Sequence, residues 1–391
     1  MEQIKKIKVK SINSKILFGD FGNGKYFGYK NKKIISLVEI KLSNKLSGFG
    51  ESLVGIYSPD LYKKNLEYLS KFFINKNVFE CLEVSKNLQK NKFFFYSGLL
   101  KSILASIEIA IFNLIAKLKK KTFAEALNDY FFLGKRVLLN DISVYASAGS
   151  IRSTLRDLEK DLSLSEKLKI KNIKIRLNIK SEYKKKIILL KSKNFKFAVD
   201  LISNTFEDNE ILKFPKFLSF IKKFNPLWIE EILNVDKLCD FQKLKKKYNI
   251  KYSYGENFNS KFDFYNLIKF YKFNYINVDI SHITITELVD IVILLEKNNF
   301  KNKILFHCWG GIINLQTSLE LASLFKDQVY MTEFPIADFS LNNNFVHNVD
   351  IIDSKVNLNS INRMKINDIY AKDKNLINKN LINKYEFNFK K

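Results

Sequence analysis

Eight short segments rich in β-branched and aromatic residues alternate with helical stretches from about residue 137 onward. Amphipathic stretches at 210–224, 286–298 and 315–325 lie between them. One strand with its return helix takes about 30 residues, and eight strands with seven intervening helices make a closed parallel barrel. We therefore predict an α/β barrel of the modified (β/α)7β type over residues 137–338. The eight predicted strands are 144–147, 173–176, 197–200, 228–230, 252–256, 275–279, 304–307 and 329–333.

The first 136 residues have a different pattern, which predicts a separate α+β domain. Extended segments at 4–14, 26–29 and 34–42 precede a helical region that runs from Ser58 to about Asp129. Its clearest helix is predicted over 98–118, where apolar residues recur at intervals of three and four. Residues 339–391 are polar and rich in asparagine, and we expect this segment to pack back on the first domain.

The composition indicates a globular protein of the cytoplasm. Hydrophobic residues make up 46% and aromatic residues 14% of the chain, which are values of folded domains. No uninterrupted apolar stretch approaches the ~20 residues of a membrane span, and the charged N-terminus lacks the apolar core of a signal peptide. Cys81, Cys239 and Cys308 are odd in number and far apart, which argues against a disulfide framework and a zinc site.

The net charge of +26 raises the hypothesis of a nucleic-acid-binding protein. The lysines are dispersed along the whole chain, however, and runs such as 119–121 and 245–247 are short. No clustered basic stripe with interleaved aromatic residues accompanies them. We therefore interpret most of these lysines as solvated surface, whose positive field attracts small anionic substrates.

Almost every predicted strand ends in a polar residue, at the rim where parallel barrels carry their chemistry. Asp200, Glu230 and Glu256, which we call the carboxylate triad, end three successive strands at separations of 30 and 26 residues. Three converging carboxylates are suitable ligands for a hard cation such as Mg²⁺. For each acid taken alone, the alternative role is a cap on the helix that follows.

His307 and Asp279 end the seventh and sixth predicted strands, and neighbouring strands lie about 5 Å apart. A carboxylate that accepts from a histidine fixes its tautomer and raises its basicity, as a general base near neutral pH requires. The alternative for His307 is a hydrogen-bonded histidine of the core. We leave His282 and His347 without a functional role.

Lys174 and Arg176 are two residues apart on the second strand, so both side chains point to the same face. Inside a barrel a charged group needs a partner, and we predict that this pair faces an anionic substrate. The alternative is an ordinary basic strand in a lysine-rich protein. Glu333 ends the last strand and is a candidate to hydrogen-bond a substrate carboxylate.

These residues together resemble the enolase superfamily, specifically its mandelate-racemase-like branch of acid-sugar dehydratases and racemases. The resemblance spans most of the chain, and the ordered set of residues carries it more than any one motif. The segments similar to family signatures are Gly48-Phe-Gly-Glu51, 104–117, Trp228-Ile-Glu-Glu231, Gly255-Glu-Asn257, Asp279-Ile-Ser and Phe306-His-Cys-Trp-Gly-Gly311.

The resemblance implies a Mg²⁺-dependent enzyme that removes the proton α to the carboxylate of an acid sugar. It places the metal on the carboxylate triad, a base on His307 with Asp279, and Lys174 and Arg176 on the opposite face. It further implies that Glu333 supports the enediolate and that the N-terminal domain, completed by the C-terminal segment, caps the barrel as a lid. Family members are usually dimers or octamers, so a homo-oligomer is expected.

The sequence departs from the family pattern at several positions. The family commonly has lysine at the position of Arg176, and arginine stays protonated because its pKa is about 12.5–13.8. This favours a one-base dehydratase over a racemase or epimerase, which remains the alternative. Ile202 stands where the family often has asparagine, with Asn204 two residues further on, and the family's closing motif is not recognisable in 365–375.

Substrate-binding residues are predicted on the same rim and in the lid. The rim candidates are Ser147, Tyr145, Asn204 and Trp309, and the lid candidate is the loop around 18–26.

Overall fold

The structure is a computed structural model that describes residues 2–20, 32–91, 98–134, 136–149, 153–177, 182–202, 214–301, 303–336 and 348–362. Its N-terminal part is α+β, with an antiparallel sheet in the order β1-β2-β3. The strands are β1 (Val9–Asp20), β2 (Lys32–Leu42) and β3 (Ser47–Ser52). The helices are α1 (Glu2–Lys6), α2 (Val54–Tyr57), α3 (Pro59–Ser70), α4 (Val78–Lys90), α5 (Gly98–Lys119) and α6 (Phe123–Phe131).

The predicted extended segment 4–14 is wrong at its start, because Glu2–Lys6 is a helix. Glu2 in its first turn and Lys5 and Lys6 in its last turn complement the helix dipole. The predicted segment 26–29 lies outside the described residues, as does most of the proposed lid loop around 18–26.

Helix α5 is the centre of the N-terminal domain, and β3 packs directly on its backbone. A Cβ atom on Gly50 would lie 1.8 Å from the Ser106 carbonyl oxygen, so only glycine permits this approach. The helix has the length and hydropathy of a membrane span, with a mean hydropathy of 1.9, but 89% of that window is buried inside the molecule. Lys101, Glu108 and Asn113 interrupt its apolar sequence, which is typical of a core helix.

Eight parallel strands form a closed barrel, because β11 pairs with β4 as well as with β10. This confirms the predicted barrel and, with the α+β part, the predicted fold class. The strands are β4 (Asp141–Ala148), β5 (Asn172–Arg176), β6 (Lys196–Asp200), β7 (Ile229–Glu230), β8 (Tyr252–Tyr254), β9 (Tyr275–Asp279), β10 (Ile304–His307) and β11 (Val329–Pro335).

One described α-helix follows each strand from β4 to β10, as the (β/α)7β pattern requires. A 3₁₀ helix, Val235–Asp240, precedes the fourth of them. Capping residues start several helices; for example, the Thr284 hydroxyl accepts from the Glu287 amide at the start of α12. The helices are α7 (Leu155–Lys167), α8 (Tyr183–Ser192), α9 (Phe214–Lys222), α10 (Phe241–Lys247), α11 (Lys261–Lys269), α12 (Ile285–Lys297) and α13 (Ile312–Leu324).

The barrel interior has an apolar floor directly below the rim. Its side chains form a cluster separate from the main core, and most of them lie two residues before a rim residue on the same strand. Because side chains alternate between the two faces of a strand, each floor residue points inward together with its rim neighbour. Ala198 thus precedes Asp200, and Leu305 precedes His307. The floor residues are Tyr145, Ala198, Trp228, Tyr275, Leu305 and Met331.

Three buried glutamates connect the N-terminal domain to the barrel by accepting from amides at helix N-termini. Glu51 on β3 accepts from Gly311 and Asn314 at the start of α13. Glu108 on α5 accepts from the Thr286 amide of α12 at 3.0 Å, and Glu320 on α13 accepts from the Ala124 amide of α6 at 3.1 Å. Amides in the first turn of a helix have no partner within their own helix, so these hydrogen bonds satisfy them and hold the N-terminal domain against the barrel.

The described part of the C-terminal segment packs on the barrel. It consists of β12 (Ile351–Ile352), β13 (Lys355–Asn357) and α14 (Leu358–Asn362), and β13 pairs antiparallel with the start of β4. Residues 363–391 lie outside the described residues. Packing of residues 339–391 on the N-terminal domain, and the domain bounds 1–136 and 137–338, therefore stay predictions.

From the burial of Glu320 we predict that the free energy of unfolding depends on pH. Burial raises its pKa to about 7, although the Ala124 amide opposes this shift. The folded state therefore holds the proton more tightly than the unfolded state, and its stability falls as the pH rises from about 4.5 to about 7. Glu320→Gln keeps an acceptor for Ala124 but does not ionise. We expect it to raise the free energy of unfolding by roughly 2–3 kcal/mol at pH 8, and by much less at pH 5, in urea titrations.

The control is Glu125→Gln, which changes an exposed glutamate at the same helix end. The expected change is below about 1 kcal/mol at both pH values. If Glu320→Gln lowers the stability at pH 8, or leaves its pH dependence unchanged, the assignment is wrong.

Candidate active site and metal centre

The carboxylate triad converges at the C-terminal rim of the barrel. Asp200 and Glu230 are register partners on β6 and β7, and Glu256 follows β8. One carboxylate oxygen from each of the three lies within 4.8 Å of the other two. Asp200 and Glu230 are 1% and 0% exposed. Burial raises the pKa of Asp200 to about 7 and also raises the pKa of Glu256, so three negative charges here need a cation.

Glu256 reaches the rim by a turn rather than by strand alternation. Strand β8 ends at Tyr254, two residues earlier than predicted. Gly255 has φ +121°, a conformation that side chains rarely adopt, and it redirects the chain. The Gly255 amide donates to the Glu231 carboxylate at 2.8 Å, which links this turn to the end of β7.

Neighbouring groups fix the orientation of the other two acids. The Trp228 indole donates to Glu230 Oε2 at 2.9 Å. The Ile202 amide donates to Asp200 Oδ1 at 2.8 Å, and Ile202 has φ +43°. A β-branched residue at positive φ is strained, and such strain concentrates at functional sites. Ile202, which stands where the family often has asparagine, thus has strained backbone and lies beside the predicted metal ligand Asp200.

Lys174 lies fully buried among the carboxylates. Its ammonium is 2.6 Å from Glu230, 3.4 Å from Glu333 and 3.9 Å from Asp200. Burial alone would lower its pKa, but these carboxylates outweigh burial and raise it. Lys174 is therefore a fixed positive charge that balances the acids, which agrees with the predicted inward direction of this strand face.

His307 and Asp279 form the predicted pair at the ends of β10 and β9. His307 Nδ1 is 2.7 Å from Asp279 Oδ2, and the opposite ring nitrogen, Nε2, is 3.4 Å from Glu256 and 3.7 Å from Glu333. Burial would lower the pKa of His307, but Glu256, Glu333 and Asp279 raise it to about 10. Burial would raise the pKa of Asp279, but the bond to His307, the charges of His307 and His282 and the Ser281 hydroxyl together lower it to about 2. Nε2 thus faces Glu256 of the carboxylate triad, while Asp279 fixes the orientation of the ring through Nδ1.

The second oxygen of Asp279 is fixed by residues that connect to the N-terminal domain. Oδ1 accepts from the Ser281 amide at 2.8 Å and from Asn314 Nδ2 at 3.3 Å. The Asn314 amide in turn donates to Glu51, and the Ser102 hydroxyl donates to the Ser281 carbonyl. The position of the His307–Asp279 pair therefore depends on contacts from both domains.

Arg176 lies between the triad and Trp309. Its Nε is 3.4 Å from Asp200 Oδ2, and its guanidinium carbon is 5.2 Å from the centre of the Trp309 ring. Lys33, on β2 of the N-terminal domain, places its ammonium 4.2 Å from the centre of the same ring. Its ammonium also donates to the Gly310 carbonyl at 3.3 Å. Two cations from two domains thus meet at one indole at the edge of the site.

Glu333 is placed between Lys174 and His307. Burial would raise its pKa, but Lys174 and then His307 lower it to about 2, and the Ser147 hydroxyl acts in the same direction. The Tyr145 hydroxyl donates to Glu333 at 3.4 Å from the floor of the barrel. Asn204 lies outside the described residues, so its role, like the substrate roles of Tyr145, Ser147 and Trp309, stays a prediction.

The donor set fits a divalent cation such as Mg²⁺. Asp200 Oδ2, Glu256 Oε2 and Glu333 Oε1 are buried acceptors without a hydrogen-bond donor among the described residues. Buried acceptors are normally satisfied, and unsatisfied ones indicate a missing partner such as an ion. Carboxylate oxygens are the preferred ligands of Mg²⁺.

Sequence reasoning gave no role to four residues that organise this site. Glu51 and Glu231 did occur in the segments that carry the family resemblance, so a signal for them existed. Lys33 and Asn314 had no sequence signal, because each reaches the site only through contacts between distant parts of the chain.

Comparisons with known proteins agree with this architecture. Residues 193–360 match the family model described as "Enolase C-terminal domain-like". No curated protein matches the chain. An enolase superfamily member from Polaromonas sp. JS666 has a TM-score of 0.77 at 15% identity, over 93% of this chain and 97% of that one. The 3,6-anhydro-D-galactonate cycloisomerase from Zobellia galactanivorans has a TM-score of 0.73 at 18% identity, over 90% and 94%.

A third structure is an L-talarate/galactarate dehydratase liganded with Mg and L-glucarate. It has a TM-score of 0.72 at 14% identity, over 92% of this chain and 89% of that one. Identities this low establish a common fold and leave the reaction open. Residues 193–360 thus form an enolase C-terminal domain-like region, and the chain has the fold of the enolase superfamily.

Proposed function

We propose that this protein is a Mg²⁺-dependent enzyme that removes the proton α to a carboxylate, and that it dehydrates an acid sugar to a 2-keto-3-deoxy acid. One observation carries the proposal: His307 Nε2, held from behind by Asp279, faces the carboxylate triad. The general base and the cation site therefore border the same small volume, in which a substrate would bind. The dehydratase with bound Mg and L-glucarate, which shares the fold, supports this choice of cation and substrate class.

The protein groups have separate roles in this reaction. Asp200, Glu230 and Glu256 would hold Mg²⁺, which supplies positive charge against the negative charge that develops on the substrate carboxylate. With the charge of Glu256 offset by the cation, the largest influence that raises the pKa of His307 would be weakened. The neutral ring then takes the α-proton at Nε2 while Asp279 keeps the Nδ1 proton and orients the ring. Lys174 holds Glu230 and Glu333 in place and offsets their charge.

Dehydration is completed by the same histidine. The bond between the β-carbon and its hydroxyl oxygen breaks, and protonated His307 gives its proton to the leaving hydroxide, so that water departs. The enol that remains becomes the 2-keto-3-deoxy acid by tautomerisation. No second base is required, which suits a site where Arg176 stands in place of the family's lysine.

Racemisation or epimerisation of a 2-hydroxy acid is the alternative on the same scaffold. It requires a proton donor and acceptor on the face opposite His307. Arg176 does not serve as a base because arginine stays protonated in proteins. Lys174 is held by three carboxylates that stabilise its charged form. These two residues favour the dehydratase.

Proton NMR in D₂O with Mg²⁺ and a panel of acid sugars and 2-hydroxy acids tests the proposal. We expect loss of the α-proton signal together with a new methylene signal of a 2-keto-3-deoxy product. Chelation of Mg²⁺ should abolish both changes. Exchange of the α-proton without a new product would indicate a racemase or epimerase and not a dehydratase. Absence of exchange over the whole panel, in protein shown to bind Mg²⁺, would contradict the proposed function.

A further inference from the structure

Three lysines lie at the N-terminal mouth of the barrel, at the opposite end of the strands from the carboxylate triad. Lys196 is the first residue of β6, and Lys251 and Lys303 directly precede β8 and β10. Lys196 and Lys303 stand two residues before the floor residues Ala198 and Leu305, so strand alternation places them on the inner face. Strands β6, β8 and β10 are alternate strands, and alternate strands share a layer of the barrel interior. We call Lys196, Lys251 and Lys303 the lysine layer.

Lys251 lies against the floor of the barrel from below. Its ammonium is 5.9 Å from the centre of the Tyr275 ring, which belongs to the floor. Tyr275 stacks on Tyr330, with the ring centres 4.9 Å apart and the ring planes at 10°. Lys245, in the last turn of α10, donates to the carbonyl of Lys272 in the turn before β9, so two further cations lie beside the same mouth. Branched apolar side chains dominate the interior layers of such barrels, so a layer of lysines needs an explanation.

The lysines of this mouth have no counter-charge among the described residues. Burial and then the charge of Lys251 lower the pKa of Lys303. Burial, then Lys303 and Lys272, lower the pKa of Lys245. No carboxylate of the described chain opposes either shift, and no described acidic residue forms an ion pair with a member of the lysine layer. An anion placed among these ammoniums would therefore replace repulsion by attraction.

We propose that the lysine layer binds a phosphate-bearing anion at the N-terminal mouth of the barrel. Alternate strands lie about 10 Å apart, a separation that two extended lysine side chains bridge through one anion with several oxygens. Three positive charges match the charge of a pyrophosphate group better than the single charge of a carboxylate. Free pyrophosphate and the polyphosphate of a nucleotide share this chemistry. The site involves neither the carboxylate triad nor His307, so it is independent of the proposed function.

Calorimetry with pyrophosphate tests the site in metal-free protein, because a chelator keeps Mg²⁺ from carrying the anion to the carboxylate triad. We expect saturable binding of one pyrophosphate to each chain. Lys251→Gln and Lys303→Gln should each raise the Kd roughly 10- to 100-fold, because each removes a charge-assisted contact and leaves the other lysines in place. Binding should also weaken as the salt concentration rises, since the lysines are partly exposed to solvent.

The matched control is Lys243→Gln on α10. Lys243 is exposed and forms an ion pair with Asp240 at 3.0 Å, so its charge is already offset. Its substitution should change the Kd for pyrophosphate by less than about threefold. If the wild type does not bind pyrophosphate, or if all three variants raise the Kd equally, the lysine layer is only solvated surface and the proposal is overturned.

ATP distinguishes the two sources of the anion. Tyr330 is only partly buried, so its ring can stack on a nucleobase beside the lysine layer. For a nucleotide ligand, Tyr330→Leu should weaken the binding of ATP roughly 5- to 100-fold, the contribution of base stacking, and leave pyrophosphate binding unchanged. Equal affinity of Tyr330→Leu and the wild type for ATP identifies free pyrophosphate as the ligand chemistry.

Thermal unfolding of the ligand-free protein tests the repulsion without any ligand. Lys303→Gln should raise Tm by about 1–3 °C, because it removes one of several positive charges that repel each other. Lys243→Gln should leave Tm unchanged or lower it, since its ion pair with Asp240 is lost. If Lys303→Gln lowers Tm, the lysines of the mouth do not repel each other and the argument for an anion site is overturned. Neither measurement depends on substrate turnover, so a failure of the acid-sugar panel leaves this result intact.

Discussion

Replacing His307 by asparagine is expected to lower the rate of α-proton exchange by a factor of roughly 10²–10⁴, the contribution of a positioned general base. Asparagine retains an amide that can bond to Asp279 but offers no basic nitrogen where Nε2 now faces Glu256. The affinity for Mg²⁺ should stay within a few-fold, since the carboxylate triad is untouched. Exchange is measured by proton NMR in D₂O and Mg²⁺ binding by calorimetry.

The matched control is His282→Asn, in the loop that follows β9. His282 lies near Asp279, which raises its pKa, but burial outweighs this and lowers it. It belongs to neither the carboxylate triad nor the predicted base pair. The control should change exchange by less than about threefold. If His307→Asn exchanges the α-proton at the wild-type rate, or if the two variants lower that rate equally, His307 is not the general base.

The sequence was sufficient to predict the barrel because its signals are local. Each strand is a short apolar run, and each polar strand end falls at the same rim by the geometry of a parallel barrel. The bounds of β9 and β10 agree with the prediction to the residue. The inward direction of Lys174 likewise followed from period-two alternation alone.

Other features depend on contacts that no local pattern encodes. Glu256 reaches the site through the positive φ of Gly255 and its bond to Glu231, whereas the sequence predicted a continuous strand. Lys33 contacts Gly310 across the interface between the domains, at a sequence separation of 277 residues. Asn314 contacts Glu51 across the same interface and bonds to Asp279 within the barrel, 35 residues away. Such pairings are fixed by tertiary packing, so Asp279 could be predicted as the partner of the base, whereas Asn314 and Lys33 were found only in the structure.

Lys174→Met is expected to destabilise the metal-free protein by about 3–5 kcal/mol, the usual effect of removing one partner from a buried ion pair. The ammonium is 0% exposed and lies within 3.9 Å of Glu230, Glu333 and Asp200, so its loss leaves buried negative charge without a counter-charge. Urea unfolding in a chelator measures this loss. Saturating Mg²⁺ should restore part of it, because a ligand that binds the folded state alone stabilises that state.

Lys186→Met is the control that separates this charge effect from the mere loss of a buried lysine. Lys186 lies on α8, is 3% exposed, and has a pKa that burial lowers, so its ammonium is desolvated with weak compensation. The same substitution there should be neutral or stabilising and should not respond to Mg²⁺. If Lys174→Met is as stable as Lys186→Met in chelator, the carboxylates do not depend on Lys174. If Lys174→Met lowers the free energy of unfolding by the same amount with and without Mg²⁺, the cation does not bind beside the carboxylates that Lys174 neutralises. The two substitutions together therefore test whether one buried lysine and one metal ion share in neutralising Asp200 and Glu230, the two acids that both contact.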